Sequence, residues 1–89
     1  MSSAVSDRGR APIVVPDLQA EGPIHVVQWL VDPGTPVYAG DRVVELLASG
    51  IVFHVESPAE GMVGEIIRAG RADVGVGEVL GWVELAGDD

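Results

Sequence analysis

Apolar and polar positions alternate most sharply over residues 43–57, where two runs rich in β-branched residues flank Ser49-Gly50. That dipeptide suits a tight turn, because glycine takes positive φ without steric cost. A two-residue loop there pairs Ala48 with Ile51, Leu46 with Phe53 and Val44 with Val55. These side chains share one face and are all apolar, as a core face requires. The opposite face carries Val43, Glu45, Leu47, Val52, His54 and Glu56, with Leu47 facing Val52 and Glu45 facing His54. A slip of one residue would exchange the faces, so the pattern sets the register.

The same reading places further strands at Ile13-Val14-Val15, closed by Pro16, and over residues 25–31, 62–68 and 79–85. Asp32-Pro33-Gly34-Thr35 has proline second and glycine third, the requirement of a type II turn. Shifting the chain by 37 residues against itself superposes Val26 on Val63, Trp29 on Ile66, Val37 on Val74, Gly40 on Gly77, Asp41 on Glu78 and Leu46 on Val83. Both halves thus read as strand, turn, Val-x-x-Gly-acid, strand. Two such halves, neither able to bury its apolar face alone, are expected to pack as a flattened sandwich or barrel about a quasi-twofold axis. The 43–57 hairpin joins the copies and projects at one end.

Eighty-nine residues imply one small domain; 12 glycines and 6 prolines favour short strands and turns over long helices. The chain has no cysteine, which excludes disulfides and thiolate chemistry. Its net charge of −9 argues against a nucleic-acid partner and fits steering towards a basic surface. No apolar run approaches the roughly 20 residues that span a bilayer, so no membrane partner is expected. The first ten residues lack a signal-peptide apolar core, and a cytoplasmic location is the expectation. All five basic residues are arginines, at positions 8, 10, 42, 68 and 71. The chain contains no lysine.

Pro16-Asp17-Leu18, Glu21-Gly22, Trp29-Leu30-Val31, Pro33-Gly34, Val37, Gly40-Asp41, Glu45, Ser57-Pro58, Gly61, Glu65-Ile66, Val74, Gly77 and Leu80 resemble a biotinyl/lipoyl-carrier domain. The nearest likeness is to the lipoyl domain of the acyltransferase (E2) component of 2-oxo acid dehydrogenase complexes. The resemblance implies an all-β fold, a barrel-sandwich hybrid of two four-stranded antiparallel sheets with an internal quasi-twofold repeat. It places the domain at residues 12–85, after a disordered tail over 1–11 and before an acidic end over 86–89. In that family a lysine at the hairpin tip is amidated with lipoate or biotin, and the tethered cofactor visits several active sites. Here Gly50 stands at the lysine's position. Arginine stays protonated, and Ser49 has no adjacent base to make its hydroxyl a good nucleophile. No lipoate or biotin is therefore expected.

What remains is a protein-interaction or structural module, not an enzyme in its own right. The interaction candidates are Leu47, Ser49, Gly50 and Val52 at the tip. Leu47 and Val52 either add hairpin stability, up to about 1 kcal/mol for such a pair, or form a small apolar knob for self-association or docking. The expected partners are subunits of a 2-oxo acid dehydrogenase-type complex, or a second copy. The alternative is a true swinging-arm carrier of a dehydrogenase or carboxylase complex, modified at an unrecognised site. Glu45 and His54 read as an exposed pair worth at most about 1 kcal/mol. His25 reads as a surface or edge residue, and Trp29, Trp82 and Phe53 as core or core-edge aromatics. No metal-ligand spacing is present.

Overall fold

The computed structural model describes residues 9–86; the rest of the expected tail and the last three residues of the acidic end lie outside them. Among the described residues eight strands form, and no helix: β1 (Arg10–Val14), β2 (Ile24–Trp29), β3 (Pro36–Val37), β4 (Arg42–Ala48), β5 (Ile51–Glu56), β6 (Gly61–Ile66), β7 (Asp73–Val74) and β8 (Val79–Leu85). They make two four-stranded sheets, in the orders β1-β8-β6-β3 and β5-β4-β2-β7, and every pairing is antiparallel. β1 begins at Arg10, inside the stretch expected as tail, because Arg10 and Ala11 pair with Glu84 and Val83 of β8.

The internal repeat is realised strand by strand. Adding 37 to the bounds of β2, β3 and β4 gives those of β6, β7 and β8. Exchanging each strand for its counterpart, with β1 for β5, converts one sheet order into the other. The turns repeat as well. Thr35 N–H donates to Asp32 O at 3.0 Å with Gly34 at φ 92°, and Ala72 N–H donates to Ala69 O at 3.1 Å with Arg71 at φ 74°. Further on, the Asp41 carboxylate accepts the Tyr38 N–H at 2.8 Å and that of Glu78 accepts the Gly75 N–H at 3.0 Å. The Val-x-x-Gly-acid element is thus a turn closed by its own carboxylate.

Between the sheets lies a core of aliphatic side chains, with Val43, Val44 and Leu46 from β4 and Leu80 and Val83 from β8 at its centre. Val43 corrects the simple alternation, which put it on the outer face. A β-bulge lets Val43 and Val44 both turn inward, since Arg42 pairs with Glu56 but Val44 pairs with Val55. Ile51 is the second correction. It lies on the expected face but is 56% exposed, because the hairpin tip overhangs the end of the sandwich. Trp82 is the third: it faces outward opposite Pro12, with the Arg10 guanidinium 3.9 Å above its ring. Trp29 and Phe53 pack against the core edge, and the Trp29 indole N–H donates to Arg68 O at 2.6 Å.

Candidate functional site

The tip is built by the predicted register. Ala48 pairs with Ile51, Leu47 with Val52, Leu46 with Phe53 and Glu45 with His54. Ser49 and Gly50 sit at φ 53° and 76°, the double positive φ that lets a two-residue turn follow the twist of the strands. A Cβ built on Gly50 would meet nothing within 4 Å, so the apex is open space. Ser49 is held instead: its hydroxyl donates to Glu21 O at 2.7 Å, tying the tip to the loop between β1 and β2. Among the described residues that hydroxyl has no carboxylate or imidazole partner to activate it.

The loop and the hairpin enclose an open cleft of about 370 Å³, with Leu18, Ala20, Ala48, Ile51 and Phe53 as its apolar walls. Leu47 is half-buried and Val52 is half exposed on the outer sheet face. The structure therefore brings Leu47, Ser49, Gly50 and Val52 together at one pole, with Ile51 beside them. Sequence reasoning missed the contribution of Ile51 and the Glu21 anchor. The tip's projection signals the first, and nothing in the pattern signals the second.

Along the same outer face Asp73, His25, Leu47 and Val52 form one cross-strand row. His25 lies on the central strand β2, not an edge, and its Nδ1 is 2.7 Å from Asp73 Oδ1. A second row joins Gln28, Glu45 and His54. The Gln28 amide donates to Glu45 Oε1 at 3.0 Å, and the His54 Nε2–H donates to Glu45 Oε2 at 3.0 Å. Those bonds, Gln28's first, hold the Glu45 carboxyl below the usual carboxylate range. Among the described residues no group of three or more His, Asp or Glu stands close enough to hold a metal ion.

Two stacked antiparallel sheets exchanged by an internal dyad, with a tight two-residue turn projecting at one pole, define a barrel-sandwich hybrid. A family model described as "Biotin-requiring enzyme", the biotin/lipoyl family, matches residues 12–83. The chain belongs to that family. It is 31% identical over 70 residues to the dihydrolipoyllysine-residue succinyltransferase component of the 2-oxoglutarate dehydrogenase complex of Rickettsia bellii (strain RML369-C), and 29% identical over 70 residues to that of Rickettsia felis (strain ATCC VR-1525 / URRWXCal2). Each match covers 78% of this chain and only 18% of the relative. Among solved structures, the lipoyl domain of the 2-oxoglutarate dehydrogenase complex from Azotobacter vinelandii superposes with a TM-score of 0.66 at 24% identity, over 84% of this chain and 99% of that one. A single-chain, multi-domain long-chain acyl-CoA carboxylase superposes with a TM-score of 0.71 at 19% identity, over 90% of this chain and 7% of that one. The fold expected from the sequence is the fold present.

Proposed function

We propose that this lipoyl-domain-like module works without a covalent cofactor, as a non-catalytic protein-interaction or structural unit. The supporting observation is the apex turn, Ser49-Gly50, in a chain with no lysine. The curated relatives carry a dihydrolipoyl-lysine residue in their names; in this reading Gly50 occupies the position of such a lysine. No side-chain amine is present to attack an activated acyl group. The one hydroxyl at the apex is engaged by Glu21 O. What the tip offers is apolar surface on Leu47, Ile51 and Val52, and in this reading that surface meets a protein partner. Subunits of a 2-oxo acid dehydrogenase or carboxylase assembly are the partners the relatives favour.

The test is the intact mass of the chain purified from its native host, together with identification of the proteins that co-purify. The expected mass is that of the unmodified polypeptide. A lipoyl or biotinyl increment would overturn the reading and restore a carrier with an unrecognised attachment site. Co-purifying dehydrogenase or carboxylase subunits would assign the module to that assembly, and their absence would remove that assignment.

A further inference from the structure

Each sheet has two edge strands, and exposed edges recruit other strands unless they are blunted. Three of the four edges are blunted here. β3 and β7 are two residues long, and β3 contains Pro36 while β7 contains Asp73. β1 carries Pro12 at its middle and a bulge after Ile13. β5 has six residues, with neither proline nor bulge within it. The internal dyad sharpens the contrast. Pro12 faces Trp82 as His54 faces Glu45, and Trp82 and Glu45 are counterparts 37 residues apart, so His54 stands where the other copy has proline. One copy blocks its edge with proline and the other does not, and β1 lies near β5 across the seam between the sheets.

In an antiparallel pair alternate residues turn both backbone groups to the partner strand. The two-residue turn makes Ala48 and Ile51 such a pair, so Ile51, Phe53 and Val55 bond β4, while the N–H and C=O of Val52 and His54 point away from it. No turn or loop backbone bond among the described residues engages Val52 or His54. The open edge borders a cleft of about 290 Å³ on the seam between the sheets, where Pro12, Val14, Pro16 and Pro58 supply apolar walls and His54 and Glu56 the polar rim. Glu56 has no ion pair among the described residues.

We infer that the β5 edge and its seam are a slot for one added strand from a basic partner protein, with an apolar side chain level with Val52 and a lysine or arginine level with Glu56. The slot rests on the reading of the domain as an interaction module; it shares Val52 with the tip, but its outward groups at His54 and Glu56 lie further along β5. Charge decides the occupant. A second copy would bring another net charge of −9 to the same edge, whereas a basic strand meets Glu56, which forms no ion pair with its cross-strand neighbour Arg42, on a chain of net charge −9. Main-chain bonds at Val52 and His54 would hold the strand, and alternate side chains would select it.

The test uses the full chain and a short capped peptide alternating valine with lysine, followed by NMR amide shifts and hydrogen exchange. Binding is expected to shift residues 12–16 and 52–58 and to protect the Val52 and His54 amides. His54→Pro removes the outward N–H while leaving the ladder to β4 intact, and it should weaken binding at least tenfold. His54→Ala, which keeps the N–H, should not. Glu56→Lys, an exposed change that leaves the backbone alone, should weaken binding at least tenfold and reverse the preference towards a valine–glutamate peptide. Glu56→Lys lies four residues beyond Val52 along β5 and should leave any capture through the tip unchanged, so the slot and the tip fail separately. The inference is overturned if the peptide does not bind, if the shifts map elsewhere, or if Glu56→Lys binds as well as the parent. It is also overturned if the free chain pairs through β5 in sedimentation, which would make a second copy the occupant.

Discussion

Gly50→Lys asks whether the apex lacks anything but an amine. The added Cβ meets nothing within 4 Å, so the change has no packing cost. Its cost is conformational: Gly50 sits at φ 76°, and a side chain in the left-handed region costs about 1–2 kcal/mol. For a domain of this size that lowers the melting temperature by roughly 5–15 °C. Ser49 already holds φ 53° in the same turn, so the backbone tolerates a side chain there. The variant should therefore fold and present the only side-chain amine of the chain at the projecting tip. Incubated with a lipoate–protein ligase, lipoate and ATP, it should gain the mass of one lipoyl group, while the parent gains none. A folded Gly50→Lys that stays unmodified would refute the idea that only the side chain is missing. A parent chain that gains the mass would refute the assignment of Gly50 itself.

The remaining expectations concern the tip, the core and the acid limb of stability. Leu47→Glu and Val52→Glu should leave the circular dichroism spectrum unchanged and abolish tip-mediated self-association or partner capture; unchanged association in both removes the tip from the interface. Gly81→Ala should cost about 1–3 kcal/mol in urea denaturation, because its Cβ would lie 2.9 Å from both Glu65 O and the Trp29 ring. Gly75→Ala, with nothing within 4 Å, should be neutral or slightly stabilising, and equal effects at the two sites would refute the packing argument. Glu78 is held below the usual carboxylate range by its bond from Arg68 and then by the Gly75 N–H, and Glu45 by Gln28 and then His54. Depressed folded values make this stabilisation complete above the ordinary carboxylate range and remove it as pH falls through the lower folded values. The urea midpoint should decline over that acid window, and less steeply in Glu78→Gln; identical slopes would count against the linkage.

The hairpin was legible because its two faces differ chemically, and the structure keeps the expected partners from Ala48–Ile51 to Val44–Val55. The repeat was legible because a turn that needs positive φ leaves glycines behind, as at Gly40 and Gly77. Where the turn is held by other means the mark disappears: Arg71 takes the left-handed conformation that Gly34 takes in the first copy. Strict alternation misplaced Val43, because a bulge is a relation between two strands and only the register against β5 reveals it. Ile51 was misplaced for a different reason. Its face was right, but the length of the sandwich beneath it is not written locally. β3 and β7 are too short for periodicity and surface only through the match of Val37 to Val74. The anchoring of Ser49 by Glu21 O depends on where a loop is carried by the fold, and no spacing encodes that.

The internal dyad also says where to look for what is particular to this chain. Two copies of one half supply every backbone feature twice, so a feature serving only the fold should appear in both. The carboxylate-closed turns at Asp41 and Glu78 do, and so do the backbone bonds Leu30 N–H to Val43 O and Ile67 N–H to Leu80 O, 2.8 and 2.9 Å long. The copies part company at the hairpin tip, which joins one half to the next and has no counterpart turn, and at the β5 edge, where His54 replaces the proline of β1. Beneath both edges the dyad sets buried residues at matching positions, Ile13 against Gly81 and Val55 against Val44. A proline at 54 would lose the His54 bond to Glu45 but would blunt the edge as Pro12 does. In the reading proposed above, this asymmetry serves contact with another protein on the β5 side of the molecule.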